Sequence, residues 1–103
     1  KWSKAKPFFD AYVSKYGHAP DYLDSALAYI SAEILQAAVA EAGLDHAKLR
    51  EFISSNTFET INGPIRFEGV ENVETPTAFL QMQGGEMHLI WPSEIATSKI
   101  QKR

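Results

Sequence analysis

Cysteine is absent from the 103 residues, so disulfide bridges and thiolate metal sites are both excluded. Glycine and proline are few, with 6 and 5 residues, and no low-complexity segment or internal repeat is present. Basic residues are not in excess, since 10 Lys and Arg stand against 13 Asp and Glu. An electrostatic nucleic-acid binder normally carries a basic surplus, so we expect no nucleic-acid partner.

Long apolar runs and targeting segments are also missing. No stretch reaches the roughly 18 uninterrupted apolar residues of a membrane helix. The sequence opens on Lys1-Trp2-Ser3, with neither an initiator methionine nor a signal peptide, which predicts a mature or trimmed piece of a longer protein. The residues that are present, 45% hydrophobic and 22% charged, are typical of an ordinary globular domain.

Helical spacing predicts a first helix that Ser3 caps and Gly17 ends. Pro7 is tolerated there because it falls in the first turn. A third, shorter helix is expected after Asp45, its N-cap. The first helix carries an aromatic stripe, for which a core position is the favoured interpretation and a stacking platform the alternative. The stripe consists of Phe8, Phe9, Tyr12 and Tyr16.

The second predicted helix is apolar around most of its circumference. Asp24 or Ser25 is its expected cap, and it runs to about Ala42 before Gly43 ends it. Such a helix is usually covered on more than one side, as between the sheet and the other helices of an α/β protein. No run of buried aliphatic strand residues is present to cover it. We therefore expect the chain either to associate with another copy or to lack its sheet.

The second half of the chain predicts extended structure. Residues 57–61 and 65–67 have the composition of short strands on either side of a turn at 62–64. An acidic loop is expected over residues 68–77.

A hairpin is predicted nearer the C-terminus. Phe79–Gln83 and Glu86–Trp91 flank Gly84-Gly85, a two-residue turn signal, and the alternation of apolar residues agrees with that turn. Ser93–Arg103 is predicted to be a frayed tail.

Catalytic and metal-binding patterns are weakly represented. The metal candidates are His18, His46 and His88. Their spacing is neither clustered nor i,i+4, so surface positions are favoured over a zinc site. Capping explains the pair Asp21 and Asp24, and loop solvation explains Glu68 with Glu71. Nucleophile, phosphate-cradling and dinucleotide motifs are absent, so we expect neither an enzyme nor a bound cofactor or metal.

The segment that carries Tyr22, Asp24 and Ser25 is the candidate ligand-binding site. It lies directly before a predicted helix N-terminus, where free N–H groups and the positive end of the helix dipole favour an anion. Junctions of this kind commonly line the ligand crevice of α/β folds. On these residues alone, a purely capping role for Asp24 is the favoured interpretation.

An ordered set of motifs extends along nearly the whole chain. It comprises Phe9, Tyr12, Tyr16-Gly17, Pro20, Tyr22, Ala28-Tyr29, Leu35, Ala38-Val39, Ala42-Gly43, Asp45, Phe58-Glu59-Thr60, Gly63-Pro64-Ile65-Arg66-Phe67, Gln81, Gly84 and Ile90-Trp91-Pro92. The most specific parts are the runs FETINGPIRF and IWP. From about Ser3 to Thr97 this set resembles the C-terminal part of a type I periplasmic solute-binding protein, of the leucine/isoleucine/valine-binding kind, which serves an ABC transporter.

The resemblance implies an α/β protein of two lobes joined by three crossover strands, with a solute bound between them. Residues 1–78 would belong to the first lobe, and residues 79–103 would form a crossover strand, hairpin and tail of the second. The missing sheet would lie in an absent N-terminal part of the same protein. The family's contact region in this segment corresponds to Tyr22, Asp24 and Ser25.

The implied function is periplasmic or extracytoplasmic capture of an amino acid or a related small carboxylate, by hinge closure. The partners would be that solute and a membrane ABC permease, and no bond would be made or broken. Two alternatives stay open. One is a sensor or receptor domain of the same fold, and the other is a small interaction module that associates with itself.

Overall fold

The computed structural model describes residues 2–75 and 77–102. Over these residues the protein is a mixed α/β chain, with three α-helices followed by two small antiparallel sheets. Lys1, Pro76 and Arg103 lie outside the described residues. The opening Lys1-Trp2-Ser3, the predicted acidic loop 68–77 and the predicted tail therefore each contain one residue that lies outside this description.

The first helix, α1, spans Ala5–Tyr16. The predicted Ser3 cap is wrong, because Lys4 occupies the cap position with helical backbone angles and no side-chain cap bond. Pro7 lies in the first turn, where its missing N–H has no helical partner to lose. Gly17 ends the helix as predicted, with φ of 77° and its N–H donated to Val13 O at 2.8 Å.

The second helix, α2, spans Leu27–Ala42 and follows a π-helical turn at Tyr22–Ala26. The cap prediction of Asp24 or Ser25 is wrong, because both are already helical and act as donors. Asp21 is the cap: its Oδ1 accepts from Asp24 N at 2.6 Å and from Ser25 N at 3.3 Å. Asp21 can do this because its own backbone is extended, as an N-cap requires. At the other end Gly43 has φ of 70°, so the predicted stop is confirmed.

The third helix, α3, spans His46–Ser55 and confirms its predicted cap. Asp45 Oδ1 accepts from Ala47 N and Lys48 N, each at 3.0 Å. The half-buried Phe52 and Ile53 on this helix pack against the core.

The core lies along one side of the π-helical turn and α2. Its buried members are Ala26, Ile30, Ile34, Phe58, Ile61 and Ile65. The side of α2 that carries Leu35 is open, since Leu35 is 54% exposed, whereas Tyr29, 46% exposed, lies against Phe8 of α1. The apolar circumference of α2 predicted that the helix is covered on more than one side. Within residues 2–75 and 77–102, no second layer of structure covers the open side.

The first sheet contains β1 (Thr57–Thr60), β2 (Gly63–Glu68) and β3 (Glu71–Asn72), with β2 in the middle. The predicted turn at 62–64 is wrong by one residue, because Thr60 pairs with Gly63 across Ile61-Asn62. Gly63 follows these two residues with φ of 88°, which brings the chain back into the strand.

The acidic segment 68–77 is only partly a loop. It contains the two-residue strand β3, and two of its carboxylates accept hydrogen bonds from Arg66 instead of being only solvated. Arg66 Nη1 donates to Glu68 Oε1 at 2.8 Å, and Arg66 Nε donates to Glu74 Oε1 at 3.1 Å. These two bonds raise the pKa of Arg66 above its usual value.

The second sheet is the predicted hairpin of β4 (Phe79–Gln83) and β5 (Glu86–Trp91), and its register is confirmed. Leu80 pairs with Leu89, and Met82 pairs with Met87. The frayed-tail prediction is wrong for residues 97–101, because this segment is hydrogen-bonded to the hairpin. The two strands pack mainly on each other rather than on the helices.

The chain is extended in shape. Its radius of gyration is 16.5 Å and its extents are 53 × 33 × 20 Å, whereas a compact domain of this length has a radius of about 13 Å.

The helical stretch Tyr22–Ala42 is long enough to span a membrane, and an 18-residue window within it reaches a mean hydropathy of 1.2, although Asp24, Glu33 and Glu41 interrupt the stretch. A core helix of a soluble protein meets the same two criteria. The finding therefore favours neither setting.

Candidate functional site

The three predicted site residues all lie in the π-helical turn before α2, but they do not face one space. Ser25 faces α1, where its Oγ lies 3.0 Å from Tyr12 Oη. Tyr22 faces the β1–β2 turn, and its Oη accepts from Asn62 Nδ2 at 3.4 Å. The Asp24 side chain is exposed and has no hydrogen bond or ion pair to any residue in 2–75 or 77–102.

Ser25 lies beside an open groove of about 780 Å³ that runs along α1. We call it the α1 groove. Its lining includes Phe8, Tyr12, Tyr16, Ser25, Tyr29 and Glu33. A volume of this size lies within the range of small-molecule sites, roughly 300–1,000 Å³.

The aromatic stripe of α1 forms one wall of this groove, and the core position predicted for it is wrong in part. Phe8 and Tyr12 are half-buried, whereas Phe9 and Tyr16 are 45% and 53% exposed. The reason is that the described residues cover α1 on one side only, so the aromatic stripe is wider than the surface that covers it.

The aromatic rings of this wall contact one another. Phe8 lies 4.6 Å from Tyr29 between ring centroids, and Tyr12 lies 4.6 Å from Tyr16. At the far end, Lys15 Nζ lies 5.2 Å from the Tyr16 centroid, which is within cation–π range. The groove wall is therefore a continuous aromatic surface that ends in an ammonium group.

Two hydrogen bonds at Ser25 fix the donor and acceptor roles of its hydroxyl and of the Tyr12 hydroxyl. Its Oγ donates to Asp21 Oδ2 at 2.7 Å, and this bond, with the one from the Asp24 N–H, lowers the pKa of Asp21. Because Ser25 has given away its only hydroxyl proton, the Tyr12 hydroxyl must donate to Ser25 Oγ. The Tyr12 oxygen then keeps its acceptor capacity.

The Asp21 cap also argues against the anion site that the sequence predicted at the start of this helix. An anion at the start of the helix would need free N–H groups, but the Asp21 carboxylate already accepts from Asp24 N and Ser25 N. The free charge in this turn is the carboxylate of Asp24. The turn therefore favours a cationic group of a ligand over an anionic one.

Glu33 closes the other end of the groove, and the sequence reasoning missed it. Its Oε1 lies 3.3 Å from Lys4 Nζ, and its Oε2 accepts from Ile61 N at 3.0 Å. Lys4 Nζ also donates to Glu59 O at 2.5 Å. These bonds tie α1, α2 and the β1–β2 turn together, so Glu33 acts as a structural link. A lone carboxylate in the middle of an apolar helix was the available signal.

The histidines lie apart. His18 packs against Tyr12 with 5.7 Å between centroids, His46 begins α3, and His88 Nε2 lies 4.0 Å from Glu86 Oε2. Among the described residues, no group of three or more metal-binding side chains converges.

Two comparisons with known proteins give no assignment. No protein-family model matches the chain. No solved structure matches it either. The resemblance to solute-binding proteins therefore stays a prediction.

Proposed function

We propose that this chain is part of an extracytoplasmic solute-binding protein of an ABC importer, of the two-lobed type I fold, which captures an amino acid or a related small carboxylate. The observation that carries the proposal is the ordered motif set from Phe9 to Pro92. Solute would bind between the lobes and shift the protein from an open to a closed form, which a membrane permease then recognises.

The uncovered apolar surface supports a larger α/β assembly around this segment. A folded monomer of this mass exposes about 5,800 Å² of surface, whereas this chain exposes 7907 Å². The outer side of α2, which carries Leu35, is one of the uncovered areas. The sheet of the first lobe would cover this side.

The separation of the hairpin from the helices supports the assignment of the two segments to different lobes. Strands β4 and β5 pack mainly on each other. This is expected if residues 1–78 belong to one lobe and residues 79–103 to the other, because the surface that covers the hairpin would then come from the second lobe.

The π-helical turn supports an amino acid over a simple carboxylate as the solute. Two of its amides, Asp24 N and Ser25 N, are occupied by Asp21, and the exposed Asp24 carboxylate has no partner among the described residues. The ammonium group of an amino acid is the matching charge. Tyr22 and Ser25 face different sides of this turn, so Asp24 is the residue proposed to contact the ammonium group, and the amino acid's carboxylate would be bound elsewhere in the protein.

Calorimetric titration of the natural polypeptide that contains this sequence tests the proposal, with a panel of amino acids and small carboxylic acids. We expect at least one amino acid to bind. Asp24→Asn should weaken that binding tenfold or more, since about 1.4 kcal/mol corresponds to a factor of 10, and should leave the thermal midpoint nearly unchanged.

Asp21→Ala is the matched control, since it removes the cap and leaves Asp24 in place. It should lower the thermal midpoint by a few degrees. Binding by no member of the panel would overturn the proposed function. Binding that Asp24→Asn leaves intact would overturn the role of Asp24 alone.

A self-associating module is the second candidate function, because the apolar face of the hairpin is open. Leu80, Met82 and Met87 on this face are each more than half exposed. Light scattering on the natural polypeptide tests it: a defined dimer that Met82→Lys converts to monomer would favour this candidate, and a monomer would exclude it.

A further inference from the structure

The C-terminal residues 97–101 lie along the polar face of the hairpin, and the Gln81 side chain pairs with them as a neighbouring strand would. Gln81 Nε2 donates to Gln101 O at 2.8 Å, and Gln81 Oε1 accepts from Gln101 N at 2.9 Å. One side-chain amide thus bonds both main-chain groups of one residue. Such pairing depends on the backbone of the segment and not on its side chains.

Gln83 holds the same segment two residues further along β4. Its Nε2 donates to Lys99 O at 2.9 Å and to Gln81 Oε1 at 2.8 Å, and its Oε1 accepts from Ser98 Oγ at 2.7 Å. Gln83 is only 8% exposed. A buried amide of this kind needs these partners, so departure of the segment would leave it unpaired until water replaced them.

The segment begins on the main chain of β5. Thr97 N donates to Leu89 O at 2.8 Å, and Leu89 N donates to Thr97 Oγ1 at 3.0 Å. The bonds from Leu89 through Gln83 to Gln81 therefore cross both strands of the hairpin, and they join parts of the chain that are 8 to 20 residues apart.

The hairpin has little else to stabilise it within the described residues. Its apolar face is open, with Leu80 56% and Met82 62% exposed. A two-stranded hairpin without a packed face is marginally stable in water. Residues 97–101 cover the polar face of the hairpin, whereas none of the described residues covers its apolar face.

We propose that residues 97–101 form a clasp, positioned by Gln81 and Gln83, that opens and closes independently of the helical core. Opening exposes Gln83 and the main chain of Leu89, and leaves the packing of Ile30 and Ile34 unchanged, because the hairpin packs mainly on itself. The clasp is thus a local conformational device of the hairpin. It stands whether or not the protein binds a solute.

Hydrogen exchange of the natural polypeptide tests the clasp residue by residue. In the double variant Gln81→Leu, Gln83→Leu, which keeps the side-chain size and removes the amides, exchange at the Leu89 and Gln101 amides should rise about tenfold or more. Exchange at Ile30 and Ile34 should not change. Gln101→Leu is the matched control, because only the main chain of Gln101 takes part in the clasp, and it should leave exchange at Leu89 unchanged.

Two outcomes overturn the inference. Unchanged exchange at Leu89 and Gln101 in the double variant would show that the glutamines do not hold the segment. An equal rise at Ile30 and Ile34 would show that the hairpin and the core open together. Thr97→Val gives a second reading without touching either glutamine, since it should speed exchange at Leu89 and spare the core.

Discussion

At the residue scale, Gly63 is the position where a single side-chain atom has no room. Its φ is 88°, and a Cβ placed there would lie 2.6–2.8 Å from the ring atoms of Trp2. Left-handed backbone is costly for a residue with a Cβ, and the Trp2 ring adds a steric conflict.

We therefore expect Gly63→Ala to lower the free energy of unfolding by about 2 kcal/mol or more, measured by urea denaturation. Gly69→Ala is the control, because Gly69 also has positive φ, at 63°, but faces open space. It should lower the free energy of unfolding only by the cost of left-handed backbone for alanine, about 1 kcal/mol. Equal losses in the two variants would show that the Trp2 contact contributes nothing.

Asp21 gives a second prediction at this scale, on pH dependence. Its folded pKa lies below the 3.8 of the unfolded chain, because the Ser25 hydroxyl and the Asp24 N–H stabilise the carboxylate. The stability it contributes is fully present above about pH 4 and is lost as the pH falls through the lowered value. Asp21→Asn should therefore flatten the fall in thermal midpoint below pH 4. A fall of wild-type steepness in the variant would contradict this role.

Local chemistry explains which individual residues could be predicted from the sequence. Gly17, Gly43 and Asp45 act through bonds to neighbours within four residues, and each was predicted correctly. Asp21 was not chosen as the cap of the second helix, because Asp21, Asp24 and Ser25 all have the chemistry of a cap. Only the backbone conformation, extended at Asp21 and helical afterwards, decides among them.

At the element scale, α2 has one covered and one open side, and matched truncations separate them. Ile30→Ala should lower the free energy of unfolding by about 2–5 kcal/mol, since Ile30 is 5% exposed in the core. Leu35→Ala in the 103-residue chain should cost well under 1 kcal/mol, as a surface change does. Denaturant unfolding of both variants measures the difference, and similar losses would mean that both sides are covered.

The hairpin was predictable as an element because two independent signals agreed, the Gly84-Gly85 turn and the period-two alternation. The clasp could not be predicted, because Gln81 and Gln83 bond to main-chain groups 16 to 20 residues away, and main-chain groups leave no pattern in a sequence. The α1 groove was not predicted, because its lining comes from segments that are separate in the sequence. Ser25 was identified from its helix start, while Tyr12 and Glu33 reach the groove from separate segments.

At the scale of the whole molecule, the open surfaces are the main feature. The outer side of α2 and the apolar face of the hairpin are uncovered, and the accessible area exceeds that of a compact monomer of equal mass by about 2,000 Å². An interface that covers this surplus from one side would be as large as those of obligate complexes. The proposed two-lobed protein supplies such a cover with its own sheet layers.

Solute capture by hinge closure is the central claim, and small-angle X-ray scattering of the natural polypeptide tests it most directly. We predict that a saturating amino acid from the panel lowers the radius of gyration, because closure brings the lobes together. The solute should also stabilise the folded state, by about 2.7 kcal/mol at a hundredfold excess over Kd. A radius of gyration that no solute in the panel changes would contradict the account.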